Sequence, residues 1–400
     1  MREWRSVTVG EFCPFLYGKS LPENIRKEGN IPVVSSSGVT GRHDTALVQT
    51  KGIVIGRKGT VGKITRIQEP FWPIDTAFYI ADEPKKKDLN FTYYLLQTLG
   101  LEHMNSDSAV PGLNRNNAHA RTIHVPPLPE QKAIAEILGA LDDKIALNRR
   151  MCKTLESMAQ ALFKSWFVDF DPVHAKMRGE QPYGMDAPMA SMFPDKLVES
   201  ELGLIPEGWN SATLGTAYEI NPTRKLKKGE WAPYLDMANM PTKEHYPDIV
   251  IKREVRSGSK FINGDTTLLA RITPCLENGK TAFVDFLDKH QVGCGSTEFI
   301  VLRPKALLPP YHAYLLCRHN SFRDFAIQSM SGTSGRQRAQ NNVLSSYLIA
   351  IPTQAIAEAF ESIITPLQQK ITDNSNQAKI LANLRDYLLP KLVSGEVSVK

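Results

Sequence analysis

Residues 130–168, EQKAIAEILGALDDKIALNRRMCKTLESMAQALFKSWFV, decide how the rest of the chain is read. Alternate steps of four and three residues meet Ile134, Leu138, Leu141, Ile145, Asn148, Cys152, Leu155, Ala159, Leu162 and Trp166, a heptad seam without a break. The stretch predicts one helix about 55 Å long, far beyond the roughly 11 to 12 residues of an average globular helix. A seam that narrow faces another helix, so a partner is required.

The chain supplies it. Leu367, Ile371, Asn374, Ala378, Leu381, Arg385, Leu388 and Leu392 repeat the steps, at one constant offset from their counterparts Leu141 to Trp166. Gln354-Ala-Ile-Ala-Glu358 also echoes Gln131-Lys-Ala-Ile-Ala-Glu136 with one residue fewer. On that match the offset grows by about one helical turn before Leu367, and Pro366 is expected to interrupt or kink the second helix near its start. Asn148 and Asn374 share one seam position. A buried amide in an apolar seam fixes register, because leaving it unpaired costs more than pairing it. Antiparallel helices are expected to bring the two asparagines face to face. Arg385 is expected to snorkel to the rim, and the aromatic group Phe163, Trp166, Phe167 and Phe170 to cap the seam as core. Leu147, Met151 and Met158 leave apolar surface beyond a two-stranded seam.

Before the first helix, glycine-punctuated β-like runs at 31–34, 52–56, 63–67 and 76–80 and a helical pattern at 93–103 describe a mixed α/β globule. It closes in Ile123-His-Val-Pro-Pro-Leu-Pro129. Residues 169–204 hold Pro172, Pro182, Pro188 and Pro194 without periodicity and read as a linker over the surface. Gly208-Trp209-Asn-Ser-Ala-Thr-Leu-Gly215 then repeats the layout of Trp4-Arg-Ser-Val-Thr-Val-Gly10 at an offset of 205, opening a second globule. The expected division is a globule at 1–128, a helix at 129–168, a linker at 169–204, a globule at 205–352 and a helix at 353–400. The fold class is α+β: two mixed α/β globules, with two long helices forming an antiparallel coiled coil, as an internal pseudo-twofold repeat.

Hydrophobic content of 42% and charged content of 22% exclude a disordered tail. A net charge of +6 suits a polyanionic partner. No window approaches 18 consecutive apolar residues, and MREWRSVTVG lacks a signal-type apolar run, so a cytoplasmic protein without a membrane partner is expected. Cys13, Cys152, Cys275, Cys294 and Cys317 show neither a CxxC pair nor zinc spacing and read as free thiols, with no metal site.

The order of segments and four motifs together resemble the specificity subunit of type I restriction-modification systems. The motifs are Pro127-Leu-Pro-Glu-Gln131 leading into a helix, Ala161-Leu-Phe-Lys-Ser-Trp-Phe-Val-Asp-Phe-Asp-Pro172, Ile205-Pro-Glu-Gly-Trp209, and Leu388-Leu-Pro-Lys-Leu-Val-Ser-Gly-Glu396. The resemblance implies that each globule is a target recognition domain reading one half of a bipartite DNA sequence, with the helices as spacer. It also implies two modification subunits carrying an adenine N6-methyltransferase and two restriction subunits carrying translocation and cleavage. S-adenosylmethionine, ATP and Mg would then belong to those partners, and this chain would bind no cofactor and catalyse nothing.

Catalytic signals agree with a noncatalytic reading. Asn221-Pro-Thr-Arg224 and Asp171-Pro-Val-His174 lack the second proline and the aromatic residue of an adenine methyltransferase tetrapeptide. Cys13-Pro-Phe-Leu-Tyr-Gly18-Lys19-Ser20 and Pro274-Cys-Leu-Glu-Asn-Gly279-Lys280-Thr281 lack the first glycine of a P-loop. Asp75, Glu83 and Lys85 only faintly resemble a nuclease acid set, and Lys85-Lys86-Lys87 reads as solvated surface. The alternatives are a stand-alone DNA methyltransferase or nuclease, or a DNA-binding protein outside restriction.

DNA-reading candidates are basic and amide residues on glycine-rich loops, where Arg, Asn and Gln reach base edges. In the first globule these are Lys19, Arg42, Arg57, Lys58 and Lys63 with the cluster Asn114, Arg115, Asn116 and Asn117. In the second, the cluster is Arg336, Gln337, Arg338, Gln340 and Asn341, with Arg224, Lys225, Arg271 and Lys280 ranked lower. Each cluster precedes the strand that leads into a long helix.

Overall fold

The computed structural model describes residues 4–104, 112–247, 249–264, 267–305, 307–333 and 335–399. The chain forms two compact units, residues 1–146 with 379–400 and residues 147–378. Each contains one globule and a piece of both long helices, Leu128–Phe167 and Gln354–Ser394.

In the first unit, strand Arg5–Thr8 pairs antiparallel with Thr122–Val125, Arg5 opposite Val125. Thr8 and Glu11 then close a reciprocal capping box over the short helix Val9–Phe12. An antiparallel sheet follows in the order Leu16–Tyr17, Ala77–Ala81, Gly52–Gly56, Ile64–Ile67. A second sheet sets Ile31–Ser35 antiparallel to Gly38–His43 and parallel to Trp72–Pro73. Helix Leu89–Gln97 starts four residues before the expected position, because Asp88 accepts the Phe91 amide as its N-cap. It stops at Thr98, and Leu101–His103 is a separate 3₁₀ turn. Ile53, Ile55, Phe78, Ile80, Phe91 and Tyr94 bury against Ile134 and Leu138 of the first long helix and Leu389, Leu392 and Val393 of the second. The helices are therefore antiparallel here, beginning of one against end of the other.

The second unit repeats this plan. Asn210–Thr213 pairs antiparallel with Leu348–Ile351, Asn210 opposite Ile351 as Arg5 is opposite Val125, so the paired strands keep the offsets already read from the opening motifs and from the seam. The sheet order Tyr218–Ile220, Phe299–Pro304, Thr267–Ala270, Thr281–Phe283 matches the first sheet strand for strand. Trp231–Leu235 is again antiparallel to one neighbour, Ile251–Glu254, and parallel to another, Val292–Gly295. Phe167 and Trp166 pack on Phe360, 4.8 and 5.7 Å between ring centroids, which joins the end of the first helix to the beginning of the second.

Four expectations change. Pro366 does not break the second helix, which runs through it, and it sits on the exposed face. The offset between the helices is already that of the seam at their first residues, Leu128 and Gln354. Ile134 and Leu138 thus correspond to the buried Phe360 and Ile364, and the resemblance of 354–358 to 131–136 lies about one turn out of register. Asn148 does not pair with Asn374: its Nδ2 donates to Gln377 Oε1 at 2.8 Å, and Asn374 Nδ2 is buried with no partner among the described residues. Residues 169–204 are an ordered part of the second core, since Phe170, Val173, Ala190 and Phe193 bury within it and helices Asp171–Met177 and Ala187–Met192 carry them. Prolines inside the first turns of those helices favour them, because that position needs no amide hydrogen.

The seam otherwise follows the heptad. Ile145, Cys152, Ala159, Ile371 and Ala378 are buried, while Leu141, Leu155, Leu162, Leu367, Leu381 and Leu388 are half-buried. Arg385 does more than snorkel: it pairs with Asp142 of the facing helix at 2.7 Å, and Asp142 also accepts from Tyr94 at 2.7 Å. Among the described residues no helix is long and apolar enough to cross a membrane.

Candidate nucleic-acid interface

The repeat sorts the sequence candidates into matched pairs. Arg57 follows the second strand of its sheet; its amide donates to Thr76 O at 3.0 Å, and its carbonyl accepts from Leu113 N at 2.9 Å. Arg271 follows the matching strand, donates to Glu298 O at 2.9 Å and accepts from Ala339 N at 2.8 Å. Arg57 and Arg271 occupy one structural position. Lys63 and Lys280 form a second pair, each accepting through its carbonyl from the last residue of the neighbouring strand, Gly56 at 2.8 Å and Ala270 at 3.1 Å. Lys19 and Arg224, which keep the offset of the opening motifs, form a third, and each carbonyl accepts a side-chain N–H, from Trp72 at 2.8 Å and Lys260 at 3.3 Å. The late clusters form the fourth: Asn114 and Gln340 stand at the N-caps of helices Arg115–His119 and Asn341–Ser345, at the same offset as the long helices.

In the first unit the loops converge on an aromatic ring. Tyr17, 52% exposed on an edge strand, carries the Arg115 guanidinium 4.7 Å from its ring centroid and that of Arg57 at 5.6 Å. Arg57 is pinned further by two hydrogen bonds to the Asp75 carbonyl. Lys58 bridges to Gly112 just before the Asn114 cluster. Asn114 spends its side-chain oxygen on the amides of Asn116 and Asn117, at 2.9 and 3.2 Å, so it caps the helix while those two side chains stand exposed. His119 takes the Phe15 amide on Nε2 at 2.8 Å, and burial, helped by Arg115, lowers its pKa and keeps the ring neutral. That bond anchors the strand bearing Tyr17. Lys63 reaches the Ser37 carbonyl at 2.6 Å, Lys19 is exposed, and Arg42 stands on the other sheet with its guanidinium on the Asn30 carbonyl.

The second unit spends more of its candidates internally. Arg338 grips both carboxylate oxygens of Glu298 at 2.7 to 2.9 Å, and those bonds hold the Glu298 pKa below the usual carboxylate value. Gln340 donates to Ser331 and to the Arg338 carbonyl, both at 2.9 Å. Gln337 lends its carbonyl to Thr273, and the Lys280 ammonium donates to Met237 O. Arg336 and Lys225 stand exposed, and Asn341 is half-buried in the first turn of its helix.

The phosphate-loop look-alikes have structural causes. A Cβ at Gly18 would lie 2.1 Å from the Ile74 carbonyl oxygen, and Gly279 adopts φ +71, so the first glycine permits a close backbone approach and the second a turn before a strand; neither opens a phosphate-binding helix. Lys87 is buried against Glu83 at 2.8 Å rather than solvated, and that pairing with Lys86 and Lys87 lowers the Glu83 pKa to about 2. Tyr17 is the residue that sequence reasoning passed over, read only as filler between Cys13 and Gly18.

Residues 1–157 match the family described as type I restriction modification DNA specificity domain. The MjaIX type I restriction enzyme specificity subunit of Methanocaldococcus jannaschii is 28% identical over 329 residues, covering 78% of this chain and 69% of the relative. The chain is thus similar to specificity subunits of type I restriction enzymes over most of its length, and to their DNA specificity domain over residues 1–157. The HindI specificity subunit of Haemophilus influenzae is 25% identical over 335 residues, covering 72% of this chain and 71% of that subunit. A crystal structure of the type I S subunit from M. genitalium shares the fold with a TM-score of 0.62 at 15% identity, over 98% of this chain and 96% of that one. The matched family is a DNA specificity domain, and both relatives are named as specificity subunits of restriction enzymes.

Proposed function

We propose that the two globules each read one half of a bipartite double-stranded DNA target. The observation that carries this reading is the duplication of the cationic positions: Lys19 with Arg224, Arg57 with Arg271, and Lys63 with Lys280. A fold repeated for packing alone has no need to keep cations at matched loop positions, whereas two readers of one polyanion do. The different side chains around those positions, Tyr17, Arg115 and Asn116 in one globule against Pro222, Asn341 and Asn342 in the other, support two different half-sites. In this reading the two long helices serve as the spacer between the half-sites.

Exposed Leu147 and Met158 on the first long helix and Ile380, Leu384 and Tyr387 on the second offer apolar faces beyond the seam. In this reading two modification subunits dock there, supplying the adenine methyltransferase and its S-adenosylmethionine, and two restriction subunits add the ATP- and Mg-dependent steps in the cytoplasm. The test is a map of N6-methyladenine in DNA from cells with and without this gene. A split motif with two defined halves that vanishes with the gene is the expected result. Methylation unchanged by the deletion, or a single undivided motif, overturns the reading.

A further inference from the structure

We propose that Arg115 reads a guanine in the first half-site through the major groove, and that Tyr17 is the positioning residue that aims it. This assignment rests on the DNA-reading function proposed above.

Three observations converge on the pair. First, the Arg115 guanidinium lies over the Tyr17 ring, 4.7 Å from its centroid. Stacking on an aromatic face holds a planar guanidinium in one orientation. Second, Arg115 Nε is buried and no hydrogen bond among the described residues engages the guanidinium. Its neighbours differ: Arg57 is fixed on the Asp75 carbonyl, Lys63 on Ser37, and Asn114 on its own helix. With Nε covered, the two terminal nitrogens are the donors left, and they form an end-on fork. Third, Arg115 opens a helix whose N-cap leaves Asn116 and Asn117 exposed, while Tyr17 is half exposed beside it. The site faces solvent.

The chemistry then selects the base. Guanine offers two acceptors, O6 and N7, on its major-groove edge, spaced for a two-pronged donor; adenine pairs an acceptor with a donor, and cytosine presents a donor. A guanidinium has no acceptor to offer the last two. Arg57, which shares the ring at 5.6 Å but is pinned by the Asp75 carbonyl, acts as a charge for the backbone instead of a reader. The second globule lacks this fork, having Asn341 and Pro222 at the corresponding positions, so the assignment concerns one half-site only.

The experiment compares methylation motifs of the complete complex, this chain co-expressed with its modification subunit, for the native chain and four variants. Arg115→Ala is expected to relax one position of one half-site, a position that the native complex requires to be G·C. Sites bearing another base pair there should gain methylation by roughly 5- to 150-fold relative to the G·C site, the discrimination a two-pronged contact supplies. Arg115→Lys should relax the same position, because an ammonium is a point charge and not a fork. Tyr17→Ser should relax it too, and Tyr17→Phe, which keeps the ring, should restore the native motif. The unrelaxed second half-site reports that each variant is folded and assembled. Relaxation at a position that is not G·C, an even loss across all sites, or an unchanged motif in Arg115→Ala overturns the proposal. If Arg115→Ala abolishes methylation, Arg115→Lys decides: relaxation at one G·C position supports the proposal, and an unchanged motif or complete loss overturns it. A native complex with no split motif overturns the functional reading itself, a result distinct from all of these.

Discussion

The two globules share a scaffold down to strand register and differ at their tips. In the first, Thr76 and Gly112 stand where the second has Glu298 and Arg338; both globules keep the same backbone bridge, Lys58 to Gly112 and Ile272 to Arg338, and the second adds the ion pair on top of it. In the first, Tyr17 leaves Arg115 a stacked and unbonded fork, whereas the second closes its cluster with Arg338 on Glu298 and Gln340 on Ser331. Duplication has kept the backbone hydrogen bonds that place the loops and released the side chains they carry. A scaffold fixed by backbone bonds tolerates new side chains at loop positions at small cost in stability.

The largest contrast to test lies at the seam step shared by Trp166 and Leu392. Trp166 is fully buried, with Phe193 at 4.9 Å and Phe360 at 5.7 Å between ring centroids, and Phe193 comes from the segment expected to be a linker. Leu392 sits in the other core beside Leu389 and Val393. Trp166→Ala is expected to lower stability by about 3–5 kcal/mol and Leu392→Ala by about 2–5 kcal/mol, the tryptophan being the costlier. Urea denaturation of both variants measures this. A smaller loss for Trp166→Ala would mean that the 169–204 segment does not bear on the second core.

A second contrast is titratable. Tyr94-Leu-Leu96 and Tyr314-Leu-Leu316 correspond in the two globules, and two residues before each tyrosine stand Thr92 and His312. Thr92 satisfies itself on the Asp88 carbonyl at 2.7 Å. His312 is wholly buried among Phe163, Phe167 and Phe360, shares a hydrogen bond with Tyr218, and burial pushes its pKa down to about 3. A histidine lowered in the folded state costs nothing above its ordinary pKa near 6.5. Below that, the unfolded chain takes up a proton that the folded chain refuses, and stability falls until pH reaches about 3. By pH 5 the loss is about 2 kcal/mol. Thermal unfolding at pH 7 and pH 5 should show that loss in the native chain and a smaller one in His312→Gln, and equal losses in both would exclude His312 as its source.

The long helices and the repeat were legible because heptad spacing and the two constant offsets depend only on which residues are apolar and where. Strand positions at 52–56 and 31–34 followed from glycine and β-branched residues. What escaped reading depended on contacts between distant residues. Nothing local marks Lys87 as buried on Glu83, Arg338 as closed on Glu298, or Tyr17 as a platform for Arg115. Pro366 misled for a related reason, since the cost of a helical proline depends on whether its side of the helix faces water. The candidate loops were found by composition, but their pairing needed the backbone bonds of Arg57 and Arg271 to be seen side by side.

The smallest contrast concerns the two asparagines at one seam position, where sequence symmetry promised a shared role. Both are buried, but Asn148 donates to Gln377 at 2.8 Å while Asn374 Nδ2 donates to nothing among the described residues. Replacing a buried unpaired donor by an apolar side chain of similar size removes a desolvation cost of about 1–3 kcal/mol, whereas removing a paired one forfeits a net bond of about 1 kcal/mol against a similar gain in burial. Asn374→Leu should therefore raise the urea midpoint, and Asn148→Leu should leave it nearly unchanged. The double variant should add the two effects to within about 0.5 kcal/mol, because the residues share no hydrogen bond in this arrangement. Destabilisation by Asn374→Leu together with strong coupling in the double variant would instead restore the face-to-face pair that the heptad pattern predicts.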